Sequence, residues 1–224
     1  APRPFLAIED TLAARRLAAA LPAVTILGLE SMLEGLFAHW FAEAGRIGIV
    51  FEAGRHDEIE SCTERHAAMI WLTLDALRLD GLMTIPPAGD AHRSLHLVHR
   101  HAIHEGDRFT MRPGYANFQP VARGEHLADT RHGPVRAVTN GRIFMPLYQA
   151  QGDDGFMIVR PVSRTFLITS QIVRRLQLER FARFLPGVKR PRHGADAFRI
   201  ARTPLRRPTL IALRALGYRR LARA

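Results

Sequence analysis

The residues best suited to chemistry lie in the stretch Arg46-Ile-Gly-Ile-Val-Phe-Glu-Ala-Gly-Arg-His-Asp57. Ile47 to Phe51 are apolar or glycine with no polar alternation. That is the texture of a short strand buried on both faces of a parallel sheet. The run ends on the acid Glu52; Gly54 breaks the strand, and Asp57 is placed to cap the helix that follows. Glu52 is thus expected at the carboxyl end of a parallel strand, the rim where open α/β sheets bind ligands. Burial there would raise its pKa toward the range useful for moving protons. His56 would orient substrate or share a proton with Glu52. The competing reading is structural: Glu52 caps a helix or pairs with Arg55, and His56 bonds the backbone.

A second group is His96, His99, His101 and His104. Zinc favours imidazole, and alternate spacing can put His99 and His101 on one strand face. Zinc needs three or four converging ligands, however, and the acids nearby are only Glu105 and Asp107. No metal ligand is assigned among them. A Gly-rich phosphate loop, a CxxC pair, HExxH and GxSxG are all missing, and neither Ser31 nor Ser170 has a nucleophile's setting.

The elements that must position these residues follow from periodicity. Residues 1–9 read as a loop or edge strand, Asp10 to Ala20 as a helix, and Ala23 to Leu27 as a buried strand. Glu30 to Ala44 reads as one helix, with apolar residues at three- and four-residue spacings. Glu58 to Leu79 is a longer one, its expected face formed by Ile59, Cys62, His66, Met69, Ile70, Leu74 and Leu77. This order predicts α/β structure with a parallel sheet that two strands alone leave incomplete. Ile85-Pro-Pro-Ala-Gly-Asp90 reads as a linker. From Leu95 to Val162, short runs alternate with turn signals such as Arg112-Pro113-Gly114 and Asn140-Gly141, the mark of a β sandwich or barrel. After Ser163 the pattern is helical again. Phe166, Ile172, Leu176 and Phe181 share a face, and a last helix runs from Pro204 to Leu216. The expected division is 1–84, the carboxyl-terminal part of an α/β catalytic domain; 91–162, the β domain; and 163–224, a basic helical extension.

With 224 residues the chain has room for one large domain or two small ones. No apolar run is long enough to span a bilayer. A single cysteine, Cys62, excludes an internal disulfide and fits a reducing, cytoplasmic setting. The net charge is +11, and residues 160–224 hold about half of the 32 Lys and Arg with only two acids, Glu179 and Asp196. Such a tail is either a solvated face or a dock for an anionic partner, and charge alone does not make nucleic acid that partner. The chain begins Ala1-Pro2-Arg3-Pro4-Phe5 with no signal-peptide pattern, as if within a longer protein.

Val121 to Ala128 and Val135 to Ile143 resemble a lipoyl or biotinyl carrier half-barrel, but the only lysine, Lys189, lies outside them. The resemblance implies a shared fold without the carrier function. A broader resemblance runs through Pro4-Phe5 with Asp10-Thr11, Gly28-Leu29-Glu30, Phe51 to Asp57, Arg100-His101-Ala102-Ile103, Gly106 to Phe109, Arg112 to Phe118, Met145 to Phe156, Leu185 to Val188 and Leu216 to Arg219. These residues are similar to the succinylglutamate desuccinylase/aspartoacylase family, within the zinc carboxypeptidase-like hydrolases. The resemblance implies a partial zinc-carboxypeptidase-like domain, a β barrel-sandwich domain and a zinc-dependent deacylase acting on an N-acyl amino acid or related amide. Glu52 matches the family's catalytic acid. The family's arginines for the substrate carboxylate have no match assigned by motif; Arg46 and Arg55 lie nearest Glu52 in sequence, Arg55 is the substrate-binding candidate, and Tyr148 stands for a β-domain tyrosine over the substrate. The family's HxxE ligands and a third His, expected just ahead of Ala1, have no counterpart here. The 224 residues are therefore expected to be inactive alone, as a fragment or a truncated descendant. The rival reading is a non-catalytic module whose basic tail docks a partner or an anionic surface.

Overall fold

The computed structural model describes residues 3–33, 35–55, 57–77, 94–149, 152–189, 199–201 and 204–218. The linker expected at Ile85–Asp90 lies outside them, as does His56. The amino-terminal third supplies strand β1 (Phe5–Ile8), helix α1 (Leu12–Ala19), strand β2 (Val24–Leu27), a 3-10 turn at Leu29–Ser31, helix α2 (Phe37–Glu43), strand β3 (Ile49–Glu52) and helix α3 (Ile59–Ala76). The middle is β throughout: β4 (Ser94–Ala102), β5 (Thr110–Met111), β6 (Pro120–Val121), β7 (His126–Thr130), β8 (Gly133–Arg136), β9 (Gly141–Phe144) and β10 (Asp154–Pro161). Helix α4 (Arg164–Arg175), a 3-10 helix at Leu178–Phe184, the short pair β11 (Val188–Lys189) and β12 (Arg199–Ile200), and helix α5 (Arg206–Ala215) follow.

One seven-stranded sheet runs β3-β1-β2-β4-β10-β9-β6. Only β1, β2 and β4 are mutually parallel; β3, β10, β9 and β6 pair antiparallel to their neighbours. The expected parallel sheet is therefore a mixed one. It also continues across the expected linker, because β2 pairs with β4 from Thr25↔Ser94 to Leu27↔His96. That pairing supplies the strands that the first third lacks.

The shared strands β4, β10 and β9 carry a core on each face. On one face Leu95, Leu97, Phe144, Met157 and Val159 pack with Phe5, Ile26, Leu29 and Phe118. On the other, Ile143, Phe156 and Ile158 pack with Met111, Val121, Leu127 and Ala128, against the small sheet β5-β7-β8. A register shift between Ile158↔His99 and Val159↔Leu97 turns Val98 toward the second core while Leu97 serves the first.

Three local expectations change. Residues 5–8 are not an edge: β1 lies between β2 and β3, with Phe5, Leu6 and Ile8 buried. The helix expected over 30–44 is broken, because Gly35 takes φ +70° and Leu36 is extended at φ −66°, ψ 124° before α2 begins. Helix α3 forms, but its inner face runs through Cys62, Arg65, Met69 and Leu72, leaving Ile59, Ile70 and Trp71 exposed.

By chain contacts, Ala1–Glu9 with Ala13–Pro161 make one unit and Asp10–Leu12 with Val162–Ala224 another. In the second unit, Ser163 caps α4 by accepting from the Phe166 amide at 3.2 Å. Arg174 of α4 closes the end of α5: its guanidinium donates to the carbonyls of Ala215 at 3.0 Å and Arg214 at 3.1 Å. It also pairs with the Asp10 carboxylate at 3.2 Å. Ser170, fully buried, donates to the Ala215 carbonyl at 2.7 Å, so its hydroxyl serves helix packing. Among the described residues no helix is long and apolar enough to cross a membrane.

Candidate active site

Glu52 is the last residue of β3, and its backbone lies opposite Phe5 in the antiparallel β1–β3 register. Two corrections follow. Among the described residues strand β3 has a single partner, so its side chains are only partly covered and Glu52 is exposed, not half-buried. Because β3 runs against β1, Glu52 stands at the amino ends of the parallel strands, the rim opposite to the expected one. The apolar run from Ile47 to Phe51 fits an edge here because Phe51 packs edge-on against His66 of α3, ring centroids 5.2 Å apart.

The turn after Glu52 is tied to α3. Arg65 donates to the Ala53 carbonyl at 2.9 Å and reaches the Glu58 carboxylate at 3.5 Å. The Cys62 thiol points at the Arg55 carbonyl, 3.4 Å away. A Cβ on Gly54 would stand 2.9 Å from both the Cys62 sulfur and Arg65 Nη1, so the close approach of turn and helix requires glycine. Asp57 does not cap α3, whose first flanking residue is Glu58 without a side-chain cap. Asp57 instead takes Arg55 in a fork, with Nε–Oδ1 at 2.9 Å and Nη2–Oδ2 at 2.7 Å. Both partners are largely exposed, so the pair contributes about 1 kcal/mol or less.

Tyr148 is part of the β region. Its hydroxyl accepts from the Tyr115 amide at 2.8 Å, and the Arg112 and Tyr115 carbonyls at 2.9 and 3.1 Å compete for its proton. Tyr115 in turn donates to Glu125 at 2.9 Å; burial first and that carboxylate second push its phenol above the usual value. These bonds pin the loop between β5 and β6. No hydrogen bond joins Tyr148 to Glu52 or Arg55.

The strand histidines act as aromatic packing. His101 stacks on Phe156 at 5.1 Å and 11° and lies 5.5 Å from Phe109, while His99 sits 6.1 Å from Phe156 on the same strand. His101 Nε2 is buried without a hydrogen-bond partner. Burial holds both imidazoles below their ordinary pKa; His101 adds to the effect on His99, while Asp107 opposes it at His101. Among the described residues no three His, Cys, Asp or Glu side chains converge as a metal would require.

The sequence reading missed a charge cluster at the other rim. Glu9 follows β1, and its carboxylate meets His39 Nδ1 at 3.0 Å, while His39 Nε2 meets Glu43 at 3.1 Å. The imidazole thus bridges the two carboxylates and ties α2 to the end of β1. The four-residue spacing of His39 and Glu43 was visible in the sequence; the arrival of Glu9 required the fold.

No protein-family model matches this sequence. No curated protein matches it either. Solved structures do. The succinylglutamate desuccinylase of Vibrio cholerae aligns with a TM-score of 0.54 at 14% identity, covering 72% of this chain and 50% of that one. The Vibrio parahaemolyticus enzyme of that name gives 0.51 at 16% identity, covering 73% and 52%. A succinylglutamate desuccinylase/aspartoacylase from Rhodobacter sphaeroides gives 0.50 at 16% identity, covering 72% and 54%. The chain thus has the fold of succinylglutamate desuccinylase/aspartoacylase structures and spans about half their length.

Proposed function

We propose that the chain is part of an amidohydrolase that removes an acyl group from an N-acyl amino acid or related amide in the cytoplasm. Glu52 supplies proton transfer. The observation that carries this reading is the Phe5↔Glu52 register. The resemblance expects a zinc-binding His immediately ahead of Ala1, and the register sets Glu52 beside the strand that this direction of the chain enters. A carboxylate there takes a proton from an attacking water and returns it to the leaving amine. Its exposure in these 224 residues leaves it open to whatever completes the cleft.

The zinc implied by the resemblance finds no ligand set among the described residues, so no step of this chain is routed through it. Arg55 is proposed to bind the substrate carboxylate by exchanging Asp57 for it, and His56 to orient the substrate. Tyr148 is a substrate contact of second rank, because backbone groups already engage its hydroxyl. Within the observed mixed sheet we read residues 1–84 as the carboxyl-terminal part of a zinc-carboxypeptidase-like domain, 91–162 as a barrel-sandwich domain and 163–224 as a helical extension.

The 224-residue chain, assayed with zinc and a panel of N-acyl amino acids, is expected to show no turnover. Turnover lost in Glu52→Gln would overturn the inactivity and keep the acid's role. Fused to a segment that supplies the missing ligands, the chain should turn over. There Glu52→Gln should lower kcat roughly 10²–10⁴-fold with zinc still bound. An unchanged kcat would remove Glu52 from the mechanism.

A further inference from the structure

The unit formed by Asp10–Leu12 and Val162–Ala224 carries an apolar surface that the packing of its described residues does not use. On α4, Ser170 and Arg174 make the inward contacts to the end of α5. Ile168, Ile172 and Leu176 recur every four residues, as one stripe on a helix, and are 48%, 52% and 58% exposed. The 3-10 helix adds Phe181 and Phe184, three residues apart and hence on one side, with ring centroids 6.3 Å apart. Phe184 is 68% exposed, and Ile211 of α5 is exposed as well. An exposed apolar stripe on one helix, followed by two exposed phenylalanines, is the pattern of an interaction surface.

The charge around it is mostly positive, with Glu179 the acid of the 3-10 helix. Arg180 and Arg183 lie over the Phe181 and Phe184 rings, 5.1 and 4.7 Å from their centroids. Exposed Arg164 and Arg175 bound α4, and Arg206 and Arg207 open α5. The unit's described carboxylates are Asp10 and Glu179, and Asp10 is engaged by Arg174. Nucleic acid would match the charge but offers Ile and Leu nothing to bury against. An acidic protein face would match the charge too, and binding to one is the rival outcome. A bilayer with anionic headgroups matches both features: apolar side chains enter the acyl boundary while guanidinium groups stay at the phosphates.

We propose that this face binds the surface of an anionic lipid bilayer, docking the chain peripherally. The test is flotation of the 224-residue chain with phosphatidylcholine vesicles, with and without phosphatidylglycerol. The chain should float with the phosphatidylglycerol vesicles, less so as salt rises, and stay behind with phosphatidylcholine alone. Arg180→Gln with Arg183→Gln should weaken binding about thirtyfold, and Phe181→Ser with Phe184→Ser about tenfold or more. Circular dichroism checks that each variant keeps its helices. Ile172→Ser, at an exposed site, should also weaken binding and replaces the phenylalanine pair if that variant unfolds. The proposal is overturned by absence of vesicle binding, by binding that the Phe and Ile variants leave unchanged, or by retention on single-stranded RNA or an acidic protein with none on vesicles.

Discussion

Strands β10 and β3 look alike as text and differ as structure. Gly-Phe-Met-Ile-Val in β10 and Ile-Gly-Ile-Val-Phe leading through β3 are both continuous apolar runs. Residues Phe156 to Val159 of β10 are buried, each face serving its own core. Ile49 to Phe51 of β3 are only half covered, with one strand beside them. An apolar run therefore reports that a strand has something to pack on, here α3 for β3, and leaves open how many neighbours it has.

The contrast can be broken most forcefully at matched phenylalanines. Phe156→Ala removes a fully buried ring from the second core and should destabilise the chain by about 3–5 kcal/mol in urea titration. Phe51→Ala, half-buried on the edge strand, should cost about 1–2 kcal/mol. Equal losses would mean that β3 is as enclosed as β10.

A finer comparison uses glycines beside each strand. A Cβ on Gly141, opposite β10, would run into the Ile158 side chain and stand 2.8 Å from the Val159 carbonyl. Gly141→Ala should therefore cost about 2–3 kcal/mol. Gly45, before β3, has open space around it and φ +68°, so Gly45→Ala carries only the backbone term of about 1 kcal/mol. The reverse order would put the crowding at the edge.

The smallest effect is a pH dependence next to β10. Burial lowers the His101 pKa in the folded chain, below the unfolded value of 6.5. The unfolded chain then binds more protons, so stability is full above pH 6.5 and declines as pH falls from there toward the folded value. His101→Phe should flatten that decline between about pH 7 and 5 in urea midpoints. His99 acts in the same direction and leaves a residue of it. An undiminished slope would assign the acid sensitivity elsewhere, for example to groups outside the second core.

Much of the local structure was legible because it rests on local forces. The turns at Arg112-Pro113-Gly114 and Asn140-Gly141, helix α5 ending at Gly217 with φ +98°, and β2 over Val24–Leu27 all follow from glycine, proline and apolar spacing. The candidate acid was legible as a residue and not as an environment. Its run of apolar neighbours announced a strand, but its exposure depends on β1 being, among the described residues, the one strand beside it. The histidines of β4 show the same limit. Alternation put His99 and His101 together, and only the placement of Phe156 made them packing groups instead of ligands.

By itself the sequence determined α1, β2, β3, α3, α4 and α5 in outline, the excess of cations toward the carboxyl end, and the identity of the acid that ends β3. Those follow from side-chain volume, backbone freedom and charge, which each residue carries with it. The tertiary structure alone decided that β3 runs antiparallel at an edge, that Glu52 faces solvent beside the entry to β1, and that one sheet joins the first third to the β region. Strand order and direction are set by pairings between residues up to about seventy positions apart, such as Thr25 with Ser94, and no local preference encodes them.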